Sequence, residues 1–162
     1  MAIILRRALV FIILAALCAC TTDPKRAALR SLTPNSATAQ PDKYKNRMVE
    51  WGGMLIKAHN QKETTELEIL AYPLDSDGRP LHQKSPQGRF IAIHTGYLET
   101  VEYASGRLVT VTGPISGLRY GQIEGAKYIY PSINAQQLRL WPHEKDNNEP
   151  RIHFGIGVGV GF

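Results

Sequence analysis

Two cysteines, Cys18 and Cys20, stand two positions apart in "LAALCACTT", and they are the only thiols of the 162-residue chain. A thiol can bridge, hold a metal, relay electrons or carry an acyl group. Cys-x-Cys does not suit a disulfide, because positions so close rarely bring their Cβ atoms into bridging geometry. A metal needs more ligands, and the nearest histidine, His59, is far along the chain. A redox pair is normally Cys-x-x-Cys beside a βαβ unit, and no such unit is legible. Upstream runs "MAIILRRALVFIILAALCAC": cationic Arg6 and Arg7, an unbroken apolar stretch from Ala8 to Leu17, then small residues. That order is the order of a secretory signal. The stretch falls short of the roughly 20 apolar residues that a permanent membrane helix needs.

Leu17-Cys18-Ala19-Cys20 resembles the lipobox of bacterial lipoproteins, with an aliphatic residue three before the cysteine and a small one directly before it. The resemblance implies cleavage after Ala19, loss of Cys18 with the signal, and lipidation of Cys20: a diacylglycerol on sulfur and an acyl chain such as palmitate on the new amino group. One acyl chain binds membranes marginally, at about 0.8 kcal/mol per buried CH₂, whereas two or more hold. Thr21, not Asp, follows the cysteine. By the same resemblance this sorts the chain to the periplasmic leaflet of the outer membrane.

The remaining chemistry-bearing residues are scattered. Five histidines, His59, His82, His94, His143 and His153, show no metal-ligand spacing. "DSDG", Asp75 to Gly78, opens like a calcium loop, but Leu81-His82-Gln83-Lys84 continues wrongly, and a hairpin turn accounts for it. Ser85, Ser105 and Ser132 lack a nucleophile-elbow context. Glu66 and Glu68 alternate with Leu67 and Ile69, which puts them on the wet face of a strand. The expectation is therefore no catalytic residue, no metal, no cofactor and no enzyme. Aromatic side chains are the other candidates: Tyr72, Tyr97, Tyr103, Tyr120, Tyr128 and Tyr130, with Trp51 and Trp141, suit either a core or a ligand face.

The elements that must position them are short strands. "MVEWGGMLIKA" reads as a strand whose apolar parity flips across Gly52-Gly53, as a bulge would make it. "TTELEILAY" alternates, with Leu67, Ile69 and Ala71 on one face. "GRFIAIHTG" and "GRLVTVTG" are two more strands, and "KYIYPSINAQQLRLWP" closes the set, with Pro131 demoting its middle to an edge or kink. "YLETVEYASG" is the one helical candidate among them. About five strands with a bent first strand predict an all-β fold, a small antiparallel barrel of the oligonucleotide/oligosaccharide-binding (OB) kind; a two-sheet sandwich is the rival.

Hydrophobic residues make up 43% of the chain, enough for one small packed domain. The formal charge of +5 includes Arg6 and Arg7, so the mature chain is only mildly basic. That bias, in an exported protein, points away from nucleic acid. The motifs "VEWGGMLI", "TELEILAYPLDSDGRP", "GRFIA", "GRLVTVTGPISG", "GQIEGAKYIYPSI" and "LRLWP" together resemble the Slp family of outer-membrane lipoproteins, named for starvation-inducible expression. The resemblance implies a domain over residues 44–142. The residues themselves read as a signal peptide over 1–19, a lipidated tether over 20–43 with a brief helical turn near Arg26 to Leu32, and a Gly-rich tail over 143–162 that departs from the better-known members of the family. The resemblance also implies a non-enzymatic structural or protective envelope role linked to stress or starvation. The alternative is a binding module for an envelope glycan or a membrane protein complex. The tail "HFGIGVGVGF" alternates glycine with apolar residues. It reads as a mobile tail, as a strand added to a sheet edge, or as a membrane-inserting oligomer element.

Overall fold

The computed structural model describes residues 28–142. Cys18, Cys20, the signal, most of the lipid-proximal linker and the tail from 143 onward, with His143 and His153, lie outside the described residues. Two short helices, α1 (Pro34–Ala39) and α2 (Pro41–Tyr44), precede six strands: β1 (Met48–Asn60), β2 (Thr64–Tyr72), β3 (Arg89–Thr95), β4 (Leu108–Ile123), β5 (Ala126–Asn134) and β6 (Gln137–Leu140).

Strands β1-β2-β3-β5-β4 form a ring that a β1–β4 pairing closes, and β6 lies outside it on β4. All ring pairs are antiparallel except β3–β5, which is parallel. This is the OB-like barrel of about five strands expected from the sequence, except that the β3–β5 pair is parallel and a sixth short strand is added. Strict alternation on β2 aims Thr65, Leu67, Ile69 and Ala71 inward at 0–1% exposure. They meet Val49, Trp51, Leu55, Phe90, Ala92, Val109, Val111, Ile115 and Ile133. The Trp51 and Phe90 rings pack edge to face, 5.3 Å apart.

Three expectations need correction. First, Gly52-Gly53 is not a bulge. Val49, Trp51, Gly53 and Leu55 keep one parity, and the register slips later, between Leu55 and Lys57. The glycines sit where β1 pairs with β2 and β4 at once. A Cβ on Gly53 would stand 1.9 Å from the Leu70 carbonyl oxygen, so the missing side chain admits a neighbouring strand. Second, "YLETVEYASG" forms a loop with one turn, closed by Tyr103 N–H on the Glu99 carbonyl at 3.0 Å. It is too short to nucleate a helix and has no continuous apolar face, Val101 being 85% exposed. Third, residues 28–43 are not all tether. Leu29 bridges Val49, Leu32 and Ala37 are buried in the core, and the Trp51 indole donates to the Leu32 carbonyl at 2.6 Å. Over its described part, residues 28–32, the expected turn is not helical; the helix starts at Pro34, because Thr33 caps α1 through its hydroxyl on Ser36 N–H at 3.2 Å and Pro34 occupies the first turn. The two helices therefore plug one end of the barrel.

Pro131 sits in β5 opposite Leu118 and is fully buried. The β3 partner begins only at Ser132, so the missing N–H of Pro131 costs no ladder bond.

Candidate binding face

OB-like barrels take ligands on the outer face of their second and third strands, between the β1–β2 and β4–β5 loops. In this chain Glu66 and Glu68 on β2 and Arg89 on β3 face outward there. Strands β4 and β5 outrun the ring and continue as a hairpin arm from Leu118 opposite Pro131 to Ile123 opposite Ala126. A two-residue turn closes it, with Glu124 at φ 50° and Gly125 at φ 85°, the paired positive φ values that match strand twist. A register shift between Ile115 and Gly117 bends β4 at the base of the arm.

The arm reaches the β2–β3 face. Tyr128 Oη accepts from Arg89 N–H at 3.0 Å, and Tyr130 Oη donates to Glu68 Oε1 at 3.3 Å. Arg89 pairs with Glu68 at 2.8 Å, and Arg119 on the arm pairs with Glu66 at 3.2 Å. The rings of Tyr128 and Tyr130 meet edge to face at 4.6 Å. Gly121 gives the Tyr130 ring its room, since a Cβ there would lie 3.1 Å from the ring. Burial, and then the Glu68 charge, pushes the Tyr130 phenol above its ordinary value, so it stays a donor. Both carboxylates are thus neutralised by the chain's own guanidinium groups. Among the described residues, each carboxylate of this face has a guanidinium partner.

The opposite side of the arm is open. Tyr120 and Ile129 are cross-strand partners, 79% and 41% exposed, in a shallow groove shared with Gln122 and Lys127. The other aromatic candidates are dispersed. Trp51 is core, and Tyr103 packs against the core. The Trp141 ring stands 5.6 Å from the Arg79 guanidinium and 4.9 Å from that of Arg139. Tyr97 is exposed on the loop after β3, and Tyr72 is half-buried at the end of β2. No single face gathers them.

Among the described residues, no group of three His, Cys, Asp or Glu side chains is placed to hold a metal. His59 is exposed, and His82 and His94 are half-buried. Asp75 closes the "DSDG" turn with its own carboxylate, which accepts from Asp77 N–H at 2.9 Å and Arg79 N–H at 2.8 Å. Reading the residues alone missed the partners of Glu66 and Glu68. The signal lay in "RYGQIEGAKYIYP", where an Glu-Gly turn sets Gly121 against Tyr128 and leaves Arg119 beside Tyr130.

Comparison with known proteins shows the family. The family model described as "Outer membrane lipoprotein Slp family" matches residues 17–156. The chain belongs to the Slp family of outer membrane lipoproteins. It is 32% identical over 126 residues to an uncharacterized lipoprotein, YeaY, of Escherichia coli K12, covering 75% of this chain and 65% of that one. It is 35% identical over 102 residues to the outer membrane protein Slp of the same organism, covering 63% and 54%. This Slp-family chain therefore spans between half and two thirds of the length of these relatives. Among solved structures it is similar to a small single-stranded DNA-binding protein of Streptomyces coelicolor, at a TM-score of 0.37 and 15% identity, covering 59% of this chain and 94% of that one. It is also similar to Pot1pC of Schizosaccharomyces pombe bound to single-stranded DNA, at 0.32 and 10%, covering 74% and 88%. Likeness at that level transfers no ligand.

Proposed function

We propose that this Slp-family chain is held by lipid on Cys20 at the periplasmic leaflet of the outer membrane and serves there as a non-enzymatic structural or protective component of the envelope. The observation that carries the reading is the closure of the β2–β3 outer face by the chain's own arm, through Tyr128, Tyr130, Arg89 and Arg119. A barrel that covers the face where its architecture takes ligands suits a mechanical or scaffolding task better than turnover. The Leu17-Cys18-Ala19-Cys20 lipobox supports the anchor. A link to stress or starvation rests on the family resemblance alone.

The exposed Tyr120–Ile129 pair favours a second reading, a binding module for an envelope glycan or a membrane protein complex. Intact mass and membrane fractionation of the wild type and Cys20→Ala test the first reading. The expected wild type is a chain beginning at Cys20, carrying acyl mass and sedimenting with outer membranes. Cys20→Ala is expected in the soluble or inner-membrane fraction. A soluble, unacylated wild type would sink the anchor. Crosslinking in the same membranes separates the two roles: a defined partner band favours the binding module.

A further inference from the structure

The described residues fix where the anchored chain meets the barrel. Leu29 N–H donates to the Met48 carbonyl at 2.9 Å, and Glu50 N–H to the Leu29 carbonyl at 3.3 Å. Residue 28 therefore lies beside the start of β1, at the end plugged by α1 and α2. Seven residues, Thr21 to Ala27, separate it from Cys20. Eight peptide steps at full extension span about 28 Å. From Arg47 to Leu55 the barrel wall itself runs roughly 25 Å. The linker holds residue 28, and the helix-plugged end with it, within about 28 Å of the anchor, and the charge of that end decides which way it turns.

That end presents a cluster of basic side chains. Lys43, Lys45 and Arg47 are all exposed. Backbone bonds hold the segment: Lys45 N–H to the Pro41 carbonyl at 3.0 Å, Asn46 N–H to the Ile115 carbonyl at 2.9 Å, and Ile115 N–H to the Arg47 carbonyl at 3.0 Å. The Lys43 ammonium donates to Gln40 Oε1 at 3.1 Å and stands 5.1 Å from the Tyr44 ring. Among the described residues no carboxylate pairs with any of the three. Arg30, Arg89 and Arg119, by contrast, each hold a glutamate. Asp42 is the one acidic residue in the segment, and the linker sequence adds Lys25 and Arg26 against Asp23.

We infer that this end of the barrel is a docking surface for the anionic phospholipid headgroups of the leaflet that holds the anchor, with Lys43, Lys45 and Arg47 making the contact. The inference rests on lipidation at Cys20. Each basic residue near an anionic bilayer contributes about fivefold in surface affinity, or about 1 kcal/mol, at modest salt. Docking turns a tethered domain into an oriented one. The 97–106 loop, with Tyr97 and Val101 exposed, then points away from the membrane.

The test places a thiol-reactive fluorophore at Ala39→Cys, exposed at the end of α1, or at Ser105→Cys, exposed in the far loop. The lipidated full protein is reconstituted into phosphatidylethanolamine vesicles with or without phosphatidylglycerol, doped with a headgroup spin label. Quenching at residue 39 is expected to exceed that at residue 105 several-fold. It is expected to need phosphatidylglycerol and to fall several-fold at high salt and in the Lys43→Glu, Lys45→Glu, Arg47→Glu triple variant. Equal quenching at both sites, stronger quenching at residue 105, or quenching at residue 39 indifferent to charge and salt would overturn the inference. Flotation separates the two failures. Protein that does not float refutes the Cys20 anchor, and the inference with it; protein that floats unquenched refutes the docking alone. Should the triple variant misfold, the salt and phosphatidylglycerol dependence of the unreversed protein still decides.

Discussion

Tyr130 shows how single residues hold the arm on the barrel. Its hydroxyl donates to Glu68 Oε1, the same oxygen that accepts from Arg89. Burial first and Glu68 second raise the phenol's pKa above 10.0. Below about pH 10 the phenol is protonated in both the folded and the unfolded chain. As pH rises further, the unfolded chain releases the proton first, so the stabilising contribution present below that pH is lost on the way to the folded pKa. Tyr103, raised by burial and then by Glu102, adds a slope of the same sign. Tyr130→Phe is expected to lose about 1 kcal/mol near neutral pH, the worth of one hydrogen bond to a charged partner less the gain of burying a cleaner ring. Above pH 10 the gap to the wild type should narrow, because phenylalanine does not titrate. Urea midpoints across that range check it. Parallel profiles for the two proteins would show that the raised phenol contributes nothing.

At the scale of elements, glycines mark where strands crowd. Gly53→Ala places a methyl 1.9 Å from the Leu70 carbonyl oxygen, on backbone that cannot swing aside. The expected cost is about 3 kcal/mol or more, read as a lowered urea midpoint or a failure to fold. Gly125→Ala meets nothing within 4 Å and suffers only the positive φ of the arm turn, so about 1 kcal/mol is expected. Equal costs would mean that strand approach at Gly53 is not the constraint. The same pair explains what sequence reasoning reached. Leu67, Ile69 and Ala71 declared their face through period-two alternation. Gly52-Gly53 looked like a bulge because Met54 and Ile56 are apolar, yet both lie half-buried on the outer side while Leu55 fills the core. Parity alone cannot tell a bulge from a close approach. The covered face was illegible for another reason. Arg119 and Glu66 lie far apart in sequence, and only the bend at the base of the arm brings them together.

For the whole molecule, the decisive question is where the folded unit begins. Its motifs suggested residue 44, because "PKRAALRSLTPNSATAQPDK" has turn-rich composition and little apolar periodicity. Composition of that kind usually means linker. Here a few residues matter more than the average. Leu32 and Ala37 enter the core, and Leu29 pairs alongside β1 through a parallel bridge to Val49. The Leu32 carbonyl accepts the Trp51 indole. A chain of residues 44–142 would leave the barrel end open and that indole without its partner. Burying a leucine is worth about 2 kcal/mol and an indole hydrogen bond about 1. Relative to 28–142, the shorter chain is therefore expected to lose about 3 kcal/mol, or to aggregate through the uncovered Trp51. Urea unfolding followed by tryptophan fluorescence compares them directly. If 44–142 matched 28–142 in midpoint and slope, the helices would be passengers, the linker would regain its full length, and a barrel held close to its membrane would lose its geometric basis.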